Sequence, residues 1–362
     1  MAYTINTPFF VPLTTRLAKV YDEVMQIKPT GFLQTFAETT ESRELYPAIE
    51  VRRGSEKIAI DVPLGVDGNR NQLTDFSRTI YDLFYYNDFV DLTKNAIYQV
   101  LFSSEQIGVN ANNRMANEIA VGLKAIEDKF IRAREVQVKQ VLETGTQTSY
   151  RDGSVITYGR KAASFKTLGA GNWWSVSGTD PYQDFSDAGV FLREQGKITS
   201  NELVAIVGQS AYLALKNNST VLIQNDLKSW QIDKLVKPIE MAEGATYMGY
   251  IVAYTYTVHL FAYNQFFEDP ANNGALTPYI APNNVYVLPS PAVSKPFVGI
   301  FGACPQITSD GSNITGNLMV GKVTPYQRII PQMGIYQFGL ESRPLFVPYK
   351  VDQMYTMTVL PS

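Results

Sequence analysis

The sequence predicts an α+β protein, and three observations carry that prediction. A single uninterrupted helical signal occupies 113–143. Pairs of short alternating strands stand before it, at 48–63, and after it, at 146–158. The stretch 289–348 is dense in proline and reads as short strands among long loops. With 362 residues, 45% of them hydrophobic and 18% charged, the chain can build two cores of ordinary domain size, or one core with long arms.

Residues 1–36 alternate apolar runs with turn residues. Phe9, Phe10 and Val11 precede Pro12, Leu17, Val20, Tyr21 and Val24 follow at helical spacing, and Pro29-Thr30-Gly31-Phe32 closes the segment. This is an extended arm with one short helix, and its aromatics must dock on the body or on a neighbour because the arm cannot bury them alone. A polar run at 38–44 then leads to Ile49 and Val51, and on to Ile58, Ile60 and Val62, all alternating with polar residues about an Arg53-Gly54-Ser55 turn. Such a charged two-stranded ribbon is marginal on its own. Each of its arms reaches roughly 25 Å at the usual strand rise. Arg52 and Arg53 place a basic pair at its tip, suited either to plain solubility or to a neighbour's carboxylates. The aromatic and aliphatic stretch 75–102 reads as part strand and part helix, with the switch at Asn87-Asp88.

In the long helical segment, Met115, Ile119, Leu123, Ile126 and Phe130 keep to one face of a 3.6-residue period, and Ala133, Val138, Val141 and Leu142 extend the stripe. Asn112 or Asn113 can cap its start, Thr144-Gly145 supplies a left-handed exit, and only Gly122 weakens its interior. Such a helix is roughly 45 Å long, enough to span a domain. Its outer face carries Glu118, Lys124, Glu127, Asp128, Lys129, Arg132, Arg134, Glu135 and Lys139, which reads as a solvated face or as inter-subunit ion pairing, with Glu135–Lys139 a candidate i,i+4 pair. Beyond it, Asp152-Gly153 joins two short strands, Trp173-Trp174 and Asp180-Pro181 lead into a helix over 182–196, and 203–207 is a buried strand followed by a short helix over 210–217. Tyr250, Val252, Tyr254, Tyr256 and Val258 alternate through a strand-rich segment, 284–288 is a further strand, and 353–360 a last one.

Composition removes several chemistries. The chain holds 22 Tyr and 19 Phe beside one His, a balance that favours packing over proton transfer. A net charge of −3 without a basic stripe argues against dedicated nucleic-acid binding. Cys304, the lone cysteine, reads as a small buried hydrophobe and can form no intrachain disulfide or cysteine cage. No signal sequence or long apolar span is seen, so the expectation is a protein made inside the cell that does not cross a membrane. Phosphate-binding loops, dinucleotide fingerprints, zinc-helix motifs and nucleophile elbows are absent. His259 lies in an apolar alternation and reads as a satisfied sheet residue. Asp226, Asp233, Glu240 and Glu243 are the only carboxylates worth weighing for hydrolysis, and nothing fixes their separation. No catalytic residue, cofactor or metal site is expected. The sequons at Asn218 and Asn313 carry no meaning without a secretory route.

Taken together, the order of parts resembles the major capsid proteins of tailed bacteriophages, in their lambda-type branch. The resemblance rests most on 127–223: Val141-Leu142-Glu143-Thr144-Gly145, a short hairpin, Tyr158-Gly159-Arg160, the Trp173-Trp174 loop, the Asp180-Pro181 turn and the strand at 203–207. It rests also on Arg343-Pro344-Leu345-Phe346-Val347 with 353–361. It implies an N-arm at 1–36, an E-loop hairpin at 37–86, a P-domain at 87–179 containing the spine helix, a mixed α/β A-domain at 180–340, and a C-terminal strand at 341–362 returning to the P-domain. It implies assembly as pentamers and hexamers into an icosahedral head shell around double-stranded DNA. The contact residues would be Phe9, Phe10 and Val11 on the arm and Ile49, Val51, Arg52, Arg53, Ile58 and Ile60 on the hairpin. A separate scaffold protein, a portal protein and decoration proteins are the implied partners, with synthesis in the host cytoplasm. The alternatives are an encapsulin-type compartment shell and, from another class, a carboxylate-based hydrolase.

Overall fold

The computed structural model describes residues 29–44, 46–52, 76–80, 82–93, 111–222, 239–241, 244–309, 314–330 and 335–361. The long helix forms where its stripe predicts: α1 spans Ala111–Thr144. It starts ahead of Asn112 and Asn113, which therefore sit inside its first turn and not at the cap. It ends as expected at Gly145, whose φ is +74° and whose N–H donates to Val141 O at 2.9 Å. Gly145 meets a second constraint, since a Cβ there would lie 3.1 Å from Arg160 Cδ.

The surroundings of α1 change along its length. Between 119 and 130 only Ile126 and Phe130 are buried, while Lys124, Glu127 and Lys129 face solvent. From Arg134 to Val138 every residue is buried, so the charged face expected along the whole helix is solvated at Lys124, Glu127 and Lys129 and enclosed at Arg134 and Glu135. Lys139 pairs with Glu143 at 3.3 Å instead of with Glu135, and its ammonium also lies 5.2 Å from the Phe267 ring centre.

A three-stranded sheet in the order Ala37–Ser42, Phe297–Gly302, Pro344–Pro348 packs on the second half of α1. Its first pair is parallel and its second antiparallel. Phe297, Phe301, Leu345 and Phe346 join Val138, Val141 and Leu142 in one core. A seven-stranded sheet runs in the order Phe165–Thr167, Tyr355–Thr358, Asn284–Pro289, Glu202–Val207, Tyr256–Ala262, Thr246–Ala253, Ile239–Glu240. The central strand Glu202–Val207 turns Leu203, Ala205 and Val207 toward helices α2 (Pro181–Glu194) and α3 (Gln209–Asn217), and Val204 and Ile206 toward the core of α1. Burial on both faces is why its sequence is a continuous apolar run. Asp180 caps α2 by accepting the Tyr182 N–H at 3.0 Å, and Pro181 occupies the first turn, where a missing N–H costs nothing.

A third sheet, in the order Thr324–Ile330, Ile335–Ser342, Tyr86–Leu92, lies on the first half of α1 around Ile126, Phe130 and Leu340. Tyr86–Leu92 runs straight through Asn87-Asp88, which is therefore no switch point: Asn87 is on the exposed side of the strand, and Asp88, on the other side, pairs with Lys129 of α1 at 3.2 Å. The same packing explains Gly122, since a Cβ there would meet Val90 Cγ2 at 2.8 Å. The strands Phe297–Gly302 and Ile335–Ser342 thus pack on α1 although the first lies within, and the second mostly within, the 180–340 range expected for the A-domain; sheet partners, not chain order, place them.

Ala48–Arg52 pairs antiparallel with Phe76–Ile80; the expected turn at 53–55 and the second strand at 58–62 lie outside the described residues. One further expectation changes. The alternation through 250–258 divides into two strands joined at Tyr254-Thr255. A two-residue turn reverses parity, so Ala253 opposes Tyr256 on the buried face while Tyr250 and Val252 are exposed.

Candidate assembly surfaces

The second half of α1 is fixed by buried polar side chains that bind backbone. Gln137 Oε1 accepts the Phe346 N–H at 3.0 Å, and its Nε2 donates to Tyr86 Oη at 3.0 Å. Gln147 Nε2 donates to Gln137 O at 3.2 Å and Phe346 O at 2.7 Å, while its Oε1 accepts from Tyr158 Oη at 2.6 Å. Arg160 closes the helix end, donating to Val141 O at 3.1 Å and Leu142 O at 2.8 Å from one nitrogen, and to Met354 O at 3.3 Å and Thr356 Oγ1 at 3.2 Å from the other. Its guanidinium also lies 4.1 Å from the Phe165 ring centre. A cation at a helix C-terminus answers the partial negative charge of the last carbonyls. Burial pulls the Arg160 pKa down to about 10.

Residues 29–36, the root of the arm expected from sequence, are wedged between α1 and the seven-stranded sheet. Phe32, Leu33 and Phe36 are buried, and Phe32 packs on Phe261 and Tyr263. Gln34 Nε2 donates to Ile131 O at 3.0 Å, and the Leu33 N–H donates to Glu135 Oε1 at 3.1 Å. Thr30 and Tyr263 share a hydroxyl–hydroxyl hydrogen bond. Thr30 also fills the place a Cβ would take at Gly244, where φ is +78°. Burial pushes the Glu135 carboxyl up to about 8, against the pull of the Leu33 amide that donates to it and of the Tyr263 and Thr30 hydroxyls beside it.

Apolar side chains stand out from this frame on thin elements. The ribbon Phe266–Asp269 with Ala275–Pro278 buries Phe267 on one face and exposes Phe266 and Leu276, 53% and 71% accessible, on the other. The ribbon Cys304–Ser309 with Ile314–Met319 exposes Leu318 and Met319. Tyr250 and Val252 lie on a strand whose outer edge, past Tyr247, has no strand partner among the described residues. Surfaces of this kind are where a second protein adds area or a strand.

Of the contact residues expected from sequence, Ile49, Val51 and Arg52 fall on the strand opposite Thr79, Ser77 and Phe76. Phe9, Phe10, Val11, Arg53, Ile58 and Ile60 lie outside the described residues. The exposed ribbons were missed, although Phe266 and Leu276 flanking the turn residues of 270–274 were a legible hairpin signal. Other residues hold the roles read for them: His259 Nδ1 is 3.1 Å from Tyr247 Oη, and Cys304 is buried. Asn218 is a buried structural residue, donating to Trp174 O at 3.0 Å and accepting from the Thr220 N–H at 2.9 Å. Asp226, Asp233 and Glu243 lie outside the described residues, while Glu240 ends a short strand. No group of His, Cys, Asp or Glu among the described residues could hold a metal, and no described helix is long and apolar enough to cross a membrane.

The architecture is similar to solved structures that share little of its sequence. A protein assigned as the capsid protein of an Escherichia coli CFT073 prophage superimposes with a TM-score of 0.58 over 96% of this chain and 99% of its own, at 11% identity. The capsid of a native GTA particle gives 0.47 over 93% and 92%, at 10% identity. An encapsulin complex from Synechococcus elongatus gives 0.45 over 94% of each chain, at 9% identity. No protein-family model matches the sequence, and no curated protein matches it. The fold is the mixed α+β fold of phage capsid proteins.

Proposed function

We propose that this chain is the major capsid protein of a tailed phage: a structural subunit that self-assembles as pentamers and hexamers into an icosahedral head shell around double-stranded DNA. The observation that carries the reading is the fold shared with the prophage capsid protein across 96% of this chain and 99% of that one. Physical chemistry supports it. Ribbons that expose Phe266, Leu276, Leu318 and Met319 gain from burial against neighbours, and many contacts of modest strength add when each subunit has several partners. The division into arm, E-loop, P-domain, A-domain and returning strand belongs to the same proposal. So do a separate scaffold, a portal, decoration proteins, and a place in the virion head.

Sedimentation of the purified chain with electron microscopy tests it. Closed particles of megadalton mass are expected, and a small monodisperse species at all concentrations would overturn the reading. Co-purifying protein cargo in those particles would favour a compartment shell over a phage head. The hairpin can be tested separately because Ala48 and Ile80 are paired neighbours, so 49–79 can be replaced by a short linker without moving its ends. Loss of particles with retention of a folded subunit is expected; intact shells would remove the hairpin from assembly.

A further inference from the structure

Arm root, α1 and sheet meet at a single carboxylate. Glu135 is fully buried, its Oε1 takes the Leu33 N–H at 3.1 Å, and its Oε2 is buried without a hydrogen-bond partner. From the arm root it is faced by the backbone of Phe32 and Leu33 and by Thr30; from the sheet and the chain beyond it, by the phenols of Tyr263 and Tyr279. None of these is a cation. On its own helix, Arg134 donates to Phe130 O and lies over Phe301, Lys139 pairs with Glu143, and Arg132 acts on Tyr279. A carboxylate enclosed this way is held most cheaply as the neutral acid, with a proton on the oxygen that lacks a donor.

We propose that Glu135 is a proton-operated latch for the arm root: protonated, it holds 29–36 against α1 and the sheet, and on losing its proton it lets that segment go. The proposal stands whatever the chain assembles into. The sign follows from the group's two environments. Docked, its pKa stands at about 8, against an ordinary value of 4.5. Docking therefore takes up a proton between those values, and the docked state loses ground by about tenfold per pH unit as pH rises through that window, levelling off above it. Glu135→Gln keeps an oxygen for the Leu33 N–H and has no proton to lose.

Hydrogen–deuterium exchange on the full chain between pH 5 and 9 tests this, with protection factors corrected for intrinsic exchange. In the wild type, protection of 33–36 should fall more than a hundredfold from pH 5 to pH 8 while that of 202–207 stays level. In E135Q both should stay level. A parallel pH profile for the two segments in the wild type would overturn the latch, as would a slope at 33–36 that persists in E135Q. Should E135Q fail to fold, the wild-type contrast still decides, together with the infrared carbonyl stretch of a protonated carboxyl. That band should be present at pH 6 and gone at pH 10; its absence at pH 6 would overturn the proposal.

Discussion

The two halves of α1 are one helix in two different settings. Between 119 and 130 it rests on a single small sheet and keeps Lys124, Glu127 and Lys129 in water; from Arg134 to Val138 it is enclosed on all sides. The first half is held by the apolar contacts of Ile126 and Phe130, together with an exposed Lys129–Asp88 pair at 3.2 Å. The second is held by Gln137, Gln147 and Arg160, each of which satisfies backbone groups from other elements. The difference teaches that length and amphipathicity do not set a helix's role. A buried polar group ties it to particular atoms, whereas an apolar stripe only requires some cover.

Substitutions can break that contrast or sharpen it. Arg160→Met should cost most, about 3–5 kcal/mol, because it leaves several buried carbonyls at the end of α1 without donors. Urea unfolding would show a large drop in midpoint; a change under about 1 kcal/mol would mean the helix end is held by packing alone. Gln147→Leu should cost about 2–3 kcal/mol through the buried hydrogen bonds lost to the Phe346 carbonyl and from the Tyr158 hydroxyl, with its largest loss of amide protection at 344–348. In the first half, Ile126→Val should cost only about 1 kcal/mol, since one methylene leaves a core covered on one side. Lys129→Ala should change thermal stability by less than about 0.5 kcal/mol, and that small effect should vanish in high salt.

Local patterns were readable and non-local ones were not. The stripe of α1, the Asp180-Pro181 start of α2 and the apolar run at 203–207 each announce themselves within a few residues, because periodicity and capping are local properties. Ala37–Ser42 reads as a polar connection and is a strand, for its parallel partner Phe297–Gly302 lies far along the chain and Glu38 to Glu41 are all exposed, leaving no alternation to read. Parity through Tyr254-Thr255 was lost for the same reason: alternation does not say where the chain reverses. Glu135 looks no different from Glu127 in sequence, and only the arm root and Tyr263, brought from distant segments, make it a buried group. The strand at Ala48–Arg52 was legible from the alternation of Ile49 and Val51, but its partner at 76–80 was not.

The strand Tyr355–Thr358 lies inside the seven-stranded sheet, between Phe165–Thr167 and Asn284–Pro289, and Pro344–Pro348 is the outer partner of Phe297–Gly302. A nascent chain that has emerged only as far as residue 340 lacks a piece of each large core, and Arg160 has neither Met354 nor Thr356 to bind. Such long-range pairings close slowly, so both large cores stay open until 344–358 have joined them.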